Sequence, residues 1–397
     1  MSLRGDRPPS TLKIFNLVVF DYGIDQHLAC DGLDVFAGFD FDIEKLALPD
    51  VLYPAMAETH QGRANGLALR IENRGLQRDV DARFHESLSY LFVYKSLSYL
   101  FVYIRLVGLI MKLVTFRYAR QHNPVDHAGV VVDGGVAPIL EINSRFDTHY
   151  PNNLLELIRG GSRDIPTKGM PPIPFEQIEP RLPYDVPPKI WCIGLNYHSH
   201  AVDINAVQPE EPGSFMKPAS CMFQPESDIV LPPEEFSNDV DAEGELGVVI
   251  GRQCKYVPRD RVREVIFGFT TTLDLTALDV LRKNPRYLTR SKSFDTFFSF
   301  GPVIVTEDEV PDVESLEVIT EYNDGICSRD FVRNMKMRPL DLVSYHSDYM
   351  TLYPGDLIST GCPKGARIRP GDRVGARIEG VGRLTAKVKQ GVKETLL

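Results

Sequence analysis

The chain of 397 residues carries 44 lysines and arginines against 54 aspartates and glutamates, a formal charge of −10, with 43% hydrophobic and 25% charged residues. That balance suits a globular protein with at least one substantial core and length for two or three domains, and it excludes general binding to nucleic acid or to an anionic membrane surface, which needs a basic footprint. The six cysteines, Cys30, Cys192, Cys221, Cys254, Cys327 and Cys362, have no C-x-x-C spacing, which argues against a zinc module or a small disulfide framework and points to a reducing compartment. Met1 to Ser10 holds two arginines, an aspartate and two prolines in place of an apolar signal core, so a cytoplasmic location is expected, with a mitochondrial one as the alternative.

In chain order, Met1 to about Gly75 shows short apolar runs such as Ile14 to Phe20 without sustained periodicity, and a helix over Ile43 to Ala57 is interrupted by Pro49 and Pro54. Ser87 to Tyr94 is then repeated residue for residue as Ser96 to Tyr103, with only Lys95 between the copies. Lys95 and Arg105 leave uncharged runs of about nine residues, where a membrane-spanning helix needs roughly 20. A pair of strands, a short apolar helix, or sequence never selected to fold remain, and two copies are too few for a solenoid. The sequence divides into an N-terminal extension, residues 1–110, carrying the tandem apolar repeat over 87–103; a small α+β domain with a Pro-rich linker, 111–188; and a main domain, 189–390. Met111-Lys112-Leu113-Val114 reads as the natural opening of a domain, so the upstream residues are expected to be translated non-coding sequence.

From Met111 the pattern predicts a strand over Leu113 to Arg117, a hairpin over His127 to Val136 turning at Asp133-Gly134, and a capped helix from Asn152 to Arg159 closed by Gly160-Gly161. A proline-rich connector runs from Pro166 to Pro188. Beyond it, strands are predicted at Lys189 to Gly194, Asp228 to Leu231, Leu246 to Ile250, Val265 to Leu273, Pro302 to Val305, Leu316 to Glu321, Asp356 to Ser359, Arg373 to Glu379 and Gly382 to Val388. The only helices expected in this part are Thr276 to Arg282 and Leu340 to Met350, beside the short turn that carries His200. The fold class is α+β and mostly β, with mixed sheets forming a roll or sandwich.

The chemistry gathers around Asp241-Ala242-Glu243-Gly244-Glu245. Glu243 and Glu245 are two apart at the mouth of a strand and project from one face, because strand side chains alternate. Asp274 follows a second strand and meets them if the two strands lie side by side. Three oxygen ligands without Cys or His suit a hard divalent cation such as Mg2+ or Mn2+. His200 and Asp203, three apart on a short helix, share a face and could hydrogen-bond as a general base and its orienting acid, although a solvated His beside an Asp is the commoner arrangement.

Over roughly residues 111 to 390 the sequence resembles the fumarylacetoacetate hydrolase (FAH) superfamily. The landmarks come in order: I-G-L-N-Y-x-x-H-A at Ile193 to Ala201, F-M-K-P at Phe215 to Pro218, D-x-E-G-E-L-x-V-V-I-G at Asp241 to Gly251, D-x-T-A-x-D at Asp274 to Asp279, K-S-F-D-T-F at Lys292 to Phe297, Gly301-Pro302, and P-G-D-x-I-x-T-G-x-P at Pro354 to Pro363. The resemblance implies a FAH-type β-sandwich roll, a homodimer, and a small anionic oxo-acid as substrate. It assigns Mg2+, or Mn2+ or Ca2+, to Glu243, Glu245 and Asp274; water activation to His200 with Asp203; stabilisation of developing charge to Lys292; and substrate contacts to Lys217, Thr360 and Gly361. Leu278 and Leu281 stand where many members have Arg and Gln, Asp203 where Glu is common, and Cys362 where a Thr is expected, with Arg282, Arg286 or Arg290 as candidate replacements for the lost polar contacts.

The leading expectation is a metal-dependent hydrolase that cleaves a carbon–carbon bond in an acylpyruvate-like or fumarylpyruvate-like diketo acid. The alternatives are decarboxylation of an oxaloacetate-like acid or isomerisation of a hydroxy-diene-dioate on the same metal site, neither of which needs an attacking water, and a non-catalytic binding module that keeps the fold.

Overall fold

The computed structural model describes residues 111–393 apart from 204, together with the backbone of three strands upstream. The chain divides into two compact units, Met1–Leu109 and Ile110–Leu397. In the first, Leu17–Phe20 pairs in parallel with Leu91–Ser96, which pairs antiparallel with Tyr99–Tyr103. Of the forms open to the tandem repeat, the paired strands are the one adopted, with Phe92 opposite Tyr103 and Tyr94 opposite Phe101. The helix read over Ile43 to Ala57 lies outside the described residues.

The second unit begins with strands β1 (Lys112–Tyr118), β2 (His127–Val132) and β3 (Gly135–Pro138) and helices α1 (Ile139–Phe146) and α2 (Leu154–Arg159). The β2–β3 hairpin turns through Gly134, whose φ of 80° is the left-handed conformation that glycine adopts freely. The N-cap of α2 is Asn153, whose side chain accepts from the Glu156 N–H, satisfying one of the orphaned donors of the first turn. There follow β4 (Ile190–Gly194), α3 (His198–Asp203), β5 (Gly213–Lys217), β6 (Asp228–Leu231), β7 (Val240–Ile250), β8 (Ile266–Ala277), α4 (Leu278–Lys283) and α5 (Leu288–Lys292). The remainder is β9 (Phe298–Phe300), β10 (Val303–Thr306), β11 (Glu317–Tyr322), β12 (Gly325–Phe331), α6 (Pro339–Tyr349), β13 (Leu357–Ser359), β14 (Ala366–Ile368), β15 (Arg373–Ile378) and β16 (Gly382–Gln390).

These strands form two mixed sheets, which with the few short helices give the α+β, mostly β fold class expected from sequence. The larger sheet runs β5-β4-β13-β7-β8-β10-β1-β2-β3 through its centre, and the smaller runs β6-β16-β15-β11-β12. No helix among the described residues is long and apolar enough to cross a membrane. Helices α1 and α5 and strands β5, β9, β12 and β14 are not among those expected from sequence, and two of the boundaries that differ bear on the acidic segment. Strand β7 extends back to Val240, so the acidic segment lies inside the strand, where Val240 to Ala242 also pair with β14. Helix α4 starts at Leu278 because Thr276 and Ala277 remain in β8, paired with Asp241 and Val240.

Strands β7 and β8 are buried along their whole length, yet their faces differ in chemistry. On β7 the even positions read Val240, Ala242, Gly244, Leu246, Val248, while Asp241, Glu243 and Glu245 occupy the odd ones. The apolar face packs on the smaller sheet. At Gly244 the two sheets are so close that a Cβ would lie 2.9 Å from the Cβ of Ala376 and 3.0 Å from the Thr320 hydroxyl, which itself accepts from the Gly244 N–H at 3.1 Å. Gly244 therefore sets the spacing of the sheets at the point flanked by Glu243 and Glu245. Overpacking of this kind costs about 1–3 kcal/mol, so Gly244→Ala is expected to lower the denaturant midpoint and to weaken divalent-cation binding together, measurable by chemical unfolding and calorimetry.

Helix α6 packs on β4 through His346, which is fully buried, sits edge-on to Trp191 and places Nδ1 2.7 Å from the Leu342 carbonyl oxygen. Its Nε2 has no partner among the described residues, so a second ring proton would have no acceptor. Burial pulls its pKa below the ordinary value, an effect the bond to Leu342 only partly opposes. The unfolded chain, with His near pKa 6.5, therefore binds the proton more readily than the folded one. The stabilisation is complete above that value and is lost as pH falls from it toward the lower folded pKa. Stability should drop between about pH 7 and pH 5.5, and the drop should be smaller in His346→Gln, as read from urea midpoints across that range.

Candidate metal centre

The antiparallel register of β7 and β8 places Glu243 directly opposite Asp274 and Glu245 opposite Thr272. Residues opposite one another in a sheet share a face, so the three carboxylates converge, and one oxygen from each lies within 4.8 Å of the others. Glu243, Glu245 and Asp274 are 4%, 2% and 1% exposed, a depth at which uncompensated carboxylates are costly.

The surroundings answer that cost group by group. Glu245 Oε2 accepts from the Ser359 hydroxyl at 2.5 Å and from the Gly361 N–H at 2.8 Å, and Ser359 is in turn 2.5 Å from the Thr272 hydroxyl. Glu243 Oε1 accepts from the Thr276 hydroxyl at 3.1 Å. Lys292 on α5 donates to Glu243 Oε2 at 2.9 Å and Asp274 Oδ2 at 3.0 Å, its ammonium 4.7 Å from the centre of the Phe215 ring. Lys217 at the end of β5 pairs with the other Asp274 oxygen and donates to the carbonyl oxygens of Leu275 (2.9 Å) and Phe297 (2.7 Å).

Burial alone would lower the pKa of Lys292, but Asp274, Glu243 and Glu245 outweigh it and hold the ammonium well above its ordinary value. Glu243 is also buried, yet Lys292 and His200 pull its pKa down. Glu245 goes the other way, pushed up to about 8 by burial, with Asp274 and Glu243 adding to the shift. Among the described residues it has no cationic ion-pair partner, and its Oε2 accepts from two neutral donors. An all-oxygen donor set in which one carboxyl has no cationic partner among the described residues fits a hard divalent cation, which would be held by Glu243, Glu245 and Asp274.

The other residues singled out in the sequence fall into two groups. His200 on α3 joins the cluster, with Nε2 3.9 Å from Glu243 Oε1. Asp203 does not orient it: the aspartate pairs with Lys364 at 2.7 Å, and His200 Nδ1 has no hydrogen-bond partner among the described residues. Asp203 sits at the exposed end of its helix, where the exposed Lys364 ammonium is the stronger partner for a carboxylate. Lys217, expected to touch substrate, has a fully buried side chain with all its N–H bonds directed at protein acceptors. Thr360 likewise spends its hydroxyl on the Leu246 carbonyl oxygen at 2.8 Å, and the Gly361 N–H serves Glu245.

Leu278 is buried and Leu281 half-buried, while Arg282 turns to Asp239 and the exposed Arg286 and Arg290 have no ion-pair partner among the described residues. Sequence reasoning missed Thr272, Thr276 and Ser359. The two threonines carried a signal, since they flank Asp274 at period two and so share its face. Ser359 anchors Glu245 from a third strand, and partners that orient a metal ligand typically carry about 10- to 100-fold of metal affinity. Ser359→Ala is expected to weaken Mn2+ binding by about that factor with the fold intact, as read by calorimetric titration and circular dichroism.

Comparison with known proteins gives the same picture. The family described as Fumarylacetoacetate (FAA) hydrolase C-terminal matches residues 189–389. Oxaloacetate tautomerase FAHD2B, mitochondrial, of Homo sapiens is 32% identical over 293 residues, covering 70% of this chain and 91% of its own length. Among solved structures, maleylpyruvate hydrolase from Sphingobium sp. SYK-6 in complex with manganese (II) ion and pyruvate superposes with a TM-score of 0.58 at 28% identity, covering 71% of this chain and all of the other. Fumarylacetoacetate hydrolase from the psychrophilic Exiguobacterium antarcticum gives 0.60 at 28% identity over the same shares. With the landmark residues gathered around one carboxylate cluster and the family matched across the domain that holds it, this chain belongs to the fumarylacetoacetate hydrolase superfamily and is a metal-dependent enzyme of that family.

Proposed function

We propose that the chain catalyses proton transfer at the carbon next to the keto group of a small 2-oxo dicarboxylic acid, interconverting its enol and keto forms, with Mg2+ or Mn2+ at Glu243, Glu245 and Asp274. The observation that carries this reading is His200: a buried imidazole against the carboxylate cluster, with no hydrogen-bond partner for Nδ1 and no acid orienting it among the described residues. A single acid–base group suffices to return a proton to carbon as the enol oxygen loses one, whereas activating water for attack on a carbonyl is usually the work of a His held by a carboxylate.

The bound cation supplies Lewis-acid stabilisation of negative charge developing on the keto oxygen. The protein's own groups complete the site. Lys292 remains an ammonium beside Glu243 and Asp274 and adds fixed positive charge in a water-poor setting. Lys217 and Ser359 hold Asp274 and Glu245 in place, and the apolar Leu278 and Leu281 favour chemistry that needs fewer polar contacts to substrate. The 32% identical human relative is named an oxaloacetate tautomerase, which supports this choice.

Carbon–carbon bond hydrolysis is the second reading, favoured by full-length likeness to the maleylpyruvate hydrolase. One assay separates them. Enol-oxaloacetate absorbance and pyruvate release from acylpyruvates are followed with Mg2+, with Mn2+ and with chelator. Proposed here is fast, chelator-sensitive loss of the enol signal without acylpyruvate cleavage, reduced about 10²- to 10⁴-fold in His200→Ala. Pyruvate release from acylpyruvates at the faster rate would make hydrolysis the function instead.

A further inference from the structure

Glu243 faces two ways. Its Oε2 is engaged by Lys292, while Oε1 lies on the side of His200, 3.9 Å from Nε2. On that side His200, Glu243 and Cys362 each bring one potential ligand atom within 4.8 Å of the other two. All are buried, at 7%, 4% and 2% exposure. Neither ring nitrogen of His200 makes a hydrogen bond to a described residue, since Nδ1 has no partner and 3.9 Å is too long for Nε2. Cys362 is a free thiol with no hydrogen bond to any described residue. Buried polar side chains are rarely left without partners unless something else takes them up.

We propose that His200, Glu243 and Cys362 form a second cation site, adjoining the carboxylate triad, which takes a thiophilic divalent cation of the Zn2+ class and thereby inhibits the enzyme. The donor sets of the two sites differ in kind. Three carboxylates suit Mg2+ or Mn2+, whereas nitrogen, oxygen and sulfur together suit Zn2+, commonly held by three protein groups and a water. Tetrahedral bonds of about 2.0–2.3 Å require ligand atoms somewhat closer than the present separations, a change that side-chain rotation can supply. On binding, the Cys362 Sγ–H bond breaks, its proton leaves to solvent and a sulfur–metal bond forms, with no change of oxidation state. Inhibition follows because His200 then has its lone pair committed and cannot carry a proton; this clause rests on the proposed function, whereas binding does not.

The test uses the full chain saturated with Mg2+ and titrated with Co2+, which reports thiolate ligation by a sulfur-to-cobalt charge-transfer band in the near ultraviolet. The band is expected in the wild type and in Glu245→Gln, and absent in Cys362→Ser. Zn2+ should inhibit the wild type, and the inhibitory concentration should rise by about tenfold or more in Cys362→Ser, since losing a ligand costs at least as much as losing a group that orients one. Absence of the band in the wild type, or a band of undiminished intensity in Cys362→Ser, would overturn the proposal. If Cys362→Ser does not fold, the wild-type titration still decides, and His200→Ala should weaken Co2+ binding by a similar factor. A protein that shows the band without the tautomerase activity would keep the site and refute the proposed function.

Discussion

Three carboxylates buried on one face of one sheet are the constraint on which the rest of this domain depends. Such groups repel one another and lose hydration, so the fold must surround them with compensation. It does so unevenly. Asp274 receives two ammonium groups, Glu243 receives one ammonium and a hydroxyl, and Glu245 receives only neutral donors among the described residues, while burial and the neighbouring Asp274 and Glu243 raise its pKa to about 8. Glu245 sits where a dication would complete the set in place of the proton.

The convergence itself is a product of strand pairing. A slip of one residue between β7 and β8 would turn Asp274 away from Glu243 and place Leu273 or Leu275 against it. The register is held from the other face, where Gly244 admits the smaller sheet to within van der Waals contact and Thr320 ties the Gly244 N–H. A third strand, β13, supplies Ser359 and leads into the loop whose Gly361 N–H reaches Glu245. Packing and chemistry therefore use the same two strands, one face each.

Around the three carboxylates, the neighbouring side chains set what the site can do. Asp203 pairs with Lys364, Leu278 is buried and Leu281 half-buried, and Cys362 brings a thiol beside His200 and Glu243. With Asp203 taken by Lys364, no carboxylate among the described residues hydrogen-bonds His200, which removes a handle that water attack on a carbonyl would use and leaves the carboxylate trio and Lys292 together. Proton transfer to a stabilised enol asks less of the surroundings, which is why the reaction proposed here departs from the hydrolysis first suggested by the motifs.

The sequence by itself determined the family, the predominance of strands and the grouping of three carboxylates, because these are written in local pattern: Glu243 and Glu245 at period two, Asp274 at the far end of an apolar run, and landmarks in fixed order. It also marked His200 and Lys292. Only the tertiary structure decided the partners. Lys217 read as a substrate anchor because a lysine beside an anionic site is attracted to either substrate or ligand, and its place at the end of β5, fully buried against β8, assigns it to Asp274. Asp203 read as the partner of His200 because they are one helical turn apart, yet Lys364, far away in sequence, takes it. Ser359 had no local signal and Cys362 stood out only as a replacement for an expected Thr, since one strand crossing and one loop return bring them to Glu245 and His200. Local periodicity fixes which side of an element a side chain occupies; electrostatic competition among groups from distant elements fixes what it touches.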